Sequence, residues 1–137
     1  MMRQPSRLFL VAVLLLLGGC ASFRPPDRPK DFPLHQTDHP FFDLHWRLDH
    51  QDGRVTAQGL VEATRQGNFS TVYLLLQGMD KDGRVVSHGL GRTWSGHLYR
   101  FETIPFTVHL RPTGQEERFE LSVWSYDWAS DGDGHDN

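Results

Sequence analysis

The chain has one cysteine, Cys20, in 137 residues. No intramolecular disulfide can form, so any domain must be held together by its core alone. The longest apolar run, Leu8 to Leu17, falls well short of the about 20 residues a permanent membrane-spanning helix needs. Positive charge is scarce too: 14 Lys and Arg stand against 17 Asp and Glu, a net charge of −3. That balance argues against nucleic acid or anionic lipid head groups as partners, since both call for basic patches. Apolar residues rarely recur at helical spacing after the first twenty positions. Neither a GxSxG elbow nor an HExxH helix is present, which removes two common routes to hydrolytic chemistry.

What is there begins at the N-terminus. Arg3 and Arg7 precede the apolar run, and Leu17-Gly18-Gly19-Cys20 closes it. A basic start, a short apolar core and small residues at its end make a secretory signal. The last four residues resemble the lipobox of bacterial lipoproteins. The resemblance implies cleavage between Gly19 and Cys20 and attachment of a diacylglyceryl group to the Cys20 sulfur, with several acyl chains giving a stable anchor. Ala21 and Ser22 lack the aspartate that often retains such proteins in the inner membrane, so the resemblance favours the outer membrane and its periplasmic face. Loss of residues 1–19 would leave 118 of the 137 residues, and the basic count would fall from 14 to 12 against 17 acids, moving the net charge from −3 to −5.

Residues 20–40 contain Pro25, Pro26, Pro29, Pro33 and Pro40 among polar and charged side chains. This composition predicts an extended tether after the lipidated cysteine. At about 3.1 Å per residue in polyproline II, such a segment reaches roughly 60 Å.

From Phe41 the period is two. Leu44, Trp46 and Leu48 alternate with polar residues, and Val55, Ala57, Gly59, Val61 and Ala63 take one side of a second strand. Between them, Gln51-Asp52-Gly53-Arg54 has hairpin-turn chemistry. Thr71 to Leu76 is almost continuously apolar, the mark of a central strand, and Met79-Asp80-Lys81-Asp82-Gly83 supplies another turn before Val85-Val86. Gly89 to Gly96 reads as a glycine-rich loop, Phe106 to Leu110 alternates again, and Phe119 to Trp128 closes the domain. The pattern predicts a single antiparallel β-sandwich of six or seven strands over residues 41–128, with an acidic tail at 129–137. Two hairpins echo each other, at Leu48–Val55 and Met79–Val85, although turn chemistry alone accounts for both.

The run Gly59-Leu60-Val61, then Val72 to Leu76 leading into Asp80-Lys81-Asp82-Gly83-Arg84-Val85-Val86, then Pro105 to Leu110, resembles the FxLYD-type immunoglobulin-like domains of bacterial envelope lipoproteins. It departs from their pattern at Glu62-Ala63 and at Met79. The resemblance covers roughly residues 55–127 and implies an Ig-like sandwich with no catalytic residues to carry over.

Eight histidines raise the question of a metal. His35 and His39 are four apart but lie in the proline-rich segment. His45 and His109 alternate outward on separate strands. Solvent-exposed histidines are the expectation, with no metal site and no cofactor. The tail Asp131-Gly132-Asp133 begins like a calcium loop but ends at Asn137, before a bidentate glutamate could appear. Trp94-Ser95-Gly96-His97 contains the nearest approach to a nucleophile and a base, without an evident acid to orient the imidazole.

The last strand offers the candidate binding patch. If Phe119, Leu121 and Val123 face the core, Trp124, Tyr126 and Trp128 share the opposite face, where rigid amphipathic rings make good contact surfaces. A bulge after Val123 would instead turn these rings onto Phe41 and Phe42 to close the end of the core. Trp94 fits either arrangement. The expected function is that of a non-enzymatic lipoprotein, joined to the membrane through Cys20 and making protein–protein contacts with another envelope protein. The alternatives are a carbohydrate or peptidoglycan binding module and, with least support, a hydrolase built on Ser95 and His97.

Overall fold

The computed structural model describes residues 27–94 and 96–129. The signal segment with Gly19 and Cys20, the position of Ser95 and the acidic tail lie outside the described residues.

Among the described residues, seven strands form two antiparallel sheets: β1 (Leu34–Gln36), β2 (Phe42–Gln51), β3 (Arg54–Ala63), β4 (Phe69–Met79), β5 (Val85–Arg92), β6 (Thr103–Leu110) and β7 (Arg118–Trp128). One sheet runs β1-β2-β3-β6 and the other β5-β4-β7, so the all-β sandwich expected from the alternation is the observed architecture, consistent with the Ig-like form that the resemblance implies. The core lies between the sheets. Phe42, Leu44 and Trp46 of β2 and Val55, Ala57 and Val61 of β3 face Val72, Leu74 and Leu76 of β4 and Leu121 of β7. Each set is spaced by two, as a strand with one buried face requires. The nearly continuous apolar run of β4 is explained by its place between two partners in its sheet.

One end of the sandwich carries the β2–β3, β4–β5 and β6–β7 turns. Asp52 and Gly53 adopt φ of 54° and 67° between β2 and β3, and Gly83 and Gly114 at 77° and 93° serve the next two turns there. The opposite end carries the connections between β1 and β2, β3 and β4, and β5 and β6, the last of them, residues 93–102, the longest of the six.

Two segments differ from the sequence expectation. Part of the glycine-rich stretch is strand, not loop, because Gly89, Leu90, Gly91 and Arg92 pair with β4. The glycines are needed where β5 meets β6 across the seam of the sheets: a Cβ at Gly89 would collide with the His109 carbonyl, and one at Gly91 with the Val108 side chain. The described part of the proline-rich segment also joins the fold. Pro29–Asp31 makes a single 3-10 turn and Leu34–Gln36 adds an edge strand to β2. Phe32 is buried, with the Arg47 guanidinium 4.7 Å above its ring, and Arg47 also reaches Asp27 at 2.9 Å. Residues 29–36 thus bury against an aromatic ring and a strand edge and are not the extended tether that their composition predicts. Among the described residues no helix is long and apolar enough to cross a membrane.

Candidate functional site

At the end that carries the β5–β6 connection, several large rings face solvent: Trp94 is 80% exposed, Phe101 69%, Trp128 55% and Tyr99 48%. Beneath them a ring cluster fills the end of the core. Phe42 and Phe69, from opposite sheets, meet edge to face at 4.7 Å, and Tyr126 lies 5.3 Å from Phe42 and 5.6 Å from Phe69. Trp128 leans on Phe69 at 4.6 Å, and Phe41 touches both Tyr126 and Trp128.

The local cause is a pair of register shifts between β4 and β7. Tyr73 pairs with Ser125 but Leu74 with Val123, which leaves Trp124 unpaired; Phe69 pairs with Trp128 but Thr71 with Asp127, which leaves Ser70 unpaired. Each is a β-bulge, and each reverses the facing of the residues beyond it. Past the bulge Tyr126 points into the ring cluster. Trp124 stands out from edge strand β7, 61% exposed. The four candidate patch residues are thus divided: Tyr126 is packed, Trp128 is packed on one face and open on the other, and Trp94 and Trp124 are free to make contacts at separate places.

Phe101 is the ring that sequence reasoning missed. Its φ is +67°, in the left-handed region that a bulky side chain rarely enters. The backbone is held there by the Phe101 N–H donating to the Ala63 carbonyl at 2.7 Å, and the Arg100 guanidinium covers one ring face at 4.5 Å. The sequence signal was the pair Tyr99 and Phe101 in a polar connection, with no strand pattern to bury either.

Next to Trp94 a groove of about 730 Å³ opens along the seam between β5 and β6, lined by Arg92, Thr93, Pro105, Thr107 and His109 among others. Thr93 is buried and its hydroxyl accepts from the Val72 N–H at 3.0 Å, which fixes the chain leading to Trp94.

The described histidines are spread over both sheets and the connections between them. His97 Nδ1 donates to Asn68 Oδ1 at 2.8 Å while its ring stacks on Tyr99, so this nitrogen already has a neutral partner. His109 shares a 3.0 Å hydrogen bond with Thr56. His39 Nδ1 accepts from the Phe41 N–H at 3.1 Å, and burial beside Phe42 pushes its pKa down. His45 and His109 do not meet, because β3 runs between their strands. The expectation of exposed histidines fails for His45, which is only 8% exposed. It projects from the outer face of β2, but β1 lies alongside and His35 Nδ1 sits 2.7 Å from His45 Nδ1.

No protein-family model matches the chain, and no curated protein or solved structure does either. Function must therefore be read from the geometry of this molecule.

Proposed function

We propose that the protein is a non-enzymatic lipoprotein, anchored by acylated Cys20 to a bacterial membrane, on the periplasmic face of the outer membrane. Its sandwich makes protein–protein contacts in the cell envelope through rings displayed at one end. The observation that carries the reading is Phe101. A backbone conformation costing about 1–3 kcal/mol presents an aromatic ring to water, at an end where Trp94, Tyr99 and Trp128 are also exposed. Strain of that kind persists where function uses the strained residue, and exposed aromatic rings are the usual anchors of protein interfaces. The resemblance of Leu17-Gly18-Gly19-Cys20 to a lipobox supports the address.

The test is photo-crosslinking in intact cells from a reactive residue placed in turn at Trp94, Phe101, Trp124 and Trp128. One dominant envelope protein captured from Phe101 supports the reading, and no adduct from any of the four positions overturns it.

A carbohydrate or peptidoglycan ligand is the second reading, favoured by the groove beside Trp94. A solvent-facing indole next to the polar side chains of Arg92, Thr107 and His109 suits a sugar ring stacked on one face and hydrogen-bonded at its edge. Loss of glycan binding in Trp94→Ala, with Phe101→Ala unaffected, would favour it over the protein-contact reading.

A further inference from the structure

We propose that Asp43, His45 and Glu62 form a binding site for a divalent transition-metal ion of the zinc class, on the outer face of the four-stranded sheet. The β2–β3 register places Asp43 directly opposite Glu62, and His45 follows two residues along β2 on the same face. The donor atoms of the three side chains lie within 4.8 Å of one another. Two carboxylates opposed across an antiparallel pair repel each other. Arg47, the next side chain along this face, is occupied with Asp27 and Phe32. A bound cation would turn the repulsive pair into a ligand pair.

The second observation is His45 itself. Its Nε2 is buried with no hydrogen-bond partner, 4.0 Å from Glu62 Oε1. The other ring nitrogen is engaged at 2.7 Å by His35 Nδ1, and only one of those two nitrogens can carry the shared hydrogen. With His45 Nδ1–H donating to His35, the Nε2 lone pair faces the two carboxylates. That is the arrangement of a metal-bound histidine whose far nitrogen is held by a neighbouring group.

One imidazole and two carboxylates suit zinc and similar first-row ions better than calcium or magnesium, which prefer all-oxygen sets. With metal–ligand distances of about 2.0–2.2 Å, tetrahedral donors stand about 3.4 Å apart, so the observed cluster must tighten. Glu62, with a long and partly exposed side chain, is placed to move. Three protein ligands leave a coordination position for water. His35 belongs to β1, so an ion at His45 would also strengthen the attachment of the N-terminal segment to the sheet.

The test is a calorimetric titration of the full-length chain in detergent with zinc chloride. The expected result is one ion per chain, with affinity reduced about tenfold or more in Asp43→Asn and in Glu62→Gln and unchanged in His97→Gln and His109→Gln. Asp43 and Glu62 are partly exposed, so the two carboxamide variants keep the fold, which far-UV circular dichroism checks. A zinc-dependent shift of the His45 Nε2 resonance in nitrogen NMR provides a second readout. Absence of binding at millimolar zinc overturns the proposal, as does binding that Asp43→Asn and Glu62→Gln leave unaltered.

Discussion

Phe42 and Phe69 belong to opposite sheets and meet edge to face at 4.7 Å, both wholly buried, where the sandwich would otherwise be open. Tyr126, Phe41 and Trp128 pack around the pair. Removing one ring leaves a cavity that four aromatic neighbours cannot collapse to fill. Phe69→Ala is expected to cost about 3–5 kcal/mol, a large part of the about 5–15 kcal/mol typical of a domain. Urea denaturation followed by tryptophan fluorescence measures it, and a loss below 1.5 kcal/mol would mean that the cluster is not a closed part of the core.

Trp124 and Tyr126 are two residues apart, but the bulge gives them opposite roles. Trp124→Ala should change stability by less than about 0.5 kcal/mol, as an exposed surface substitution does. Tyr126→Ala, which removes contacts to Phe41, Phe42 and Phe69, should cost about 2 kcal/mol or more. Equal denaturation midpoints for the two variants would contradict the bulged register.

Relief of the left-handed backbone at Phe101 should outweigh the loss of a ring that is 69% exposed. Phe101→Gly is expected to leave stability unchanged or raise it by about 1 kcal/mol while abolishing partner capture in crosslinking. Thermal denaturation gives the first half of that comparison; a melting temperature several degrees lower would show that the ring is structural.

Acid should weaken the fold in two separate windows. Burial lowers the pKa of His39 and His45 below the ordinary 6.5, so the unfolded chain binds these protons first. Stability from this source is full above pH 6.5 and declines as pH falls from there toward the folded values. Glu116 accepts the Thr113 and Gly114 N–H groups at 2.7 and 2.9 Å, and the Thr113 bond leads in holding its pKa down to about 2. Its folded pKa lies below the unfolded 4.5, so its contribution is present above pH 4.5 and is lost as pH falls toward 2. Urea midpoints measured between pH 8 and pH 3 should therefore fall twice. His45→Gln should flatten the upper decline and Glu116→Gln the lower; an unchanged upper decline in His45→Gln would mean that its ring titrates normally.

Metabolic labelling with radioactive palmitate tests the anchor. Wild-type protein should take up label and sediment with membranes, and Cys20→Ala should do neither. Label retained by the variant would place the acyl group elsewhere and remove the lipobox reading.

The period-two alternation, the Asp-Gly turn at residues 52 and 53 and the long apolar run of β4 determined an antiparallel sandwich from the sequence alone. Each depends on contacts between near neighbours, so the linear order contains the information. Tertiary structure decided the rest. Whether Tyr126 faces solvent or core depends on a one-residue bulge at Trp124, which alternation cannot reveal because a bulge reverses the facing of every later residue. Gly89 and Gly91 read as loop until β6 is seen against them, since a missing side chain carries meaning only beside the backbone it admits. Residues 29–36 looked like tether because a three-residue edge strand has too little pattern of its own and is stabilised by β2, not by local propensity. Likewise Asp43, His45 and Glu62 are unremarkable in order along the chain. Pairing of β2 with β3 brings the two carboxylates face to face, and β1 buries the histidine between them and His35.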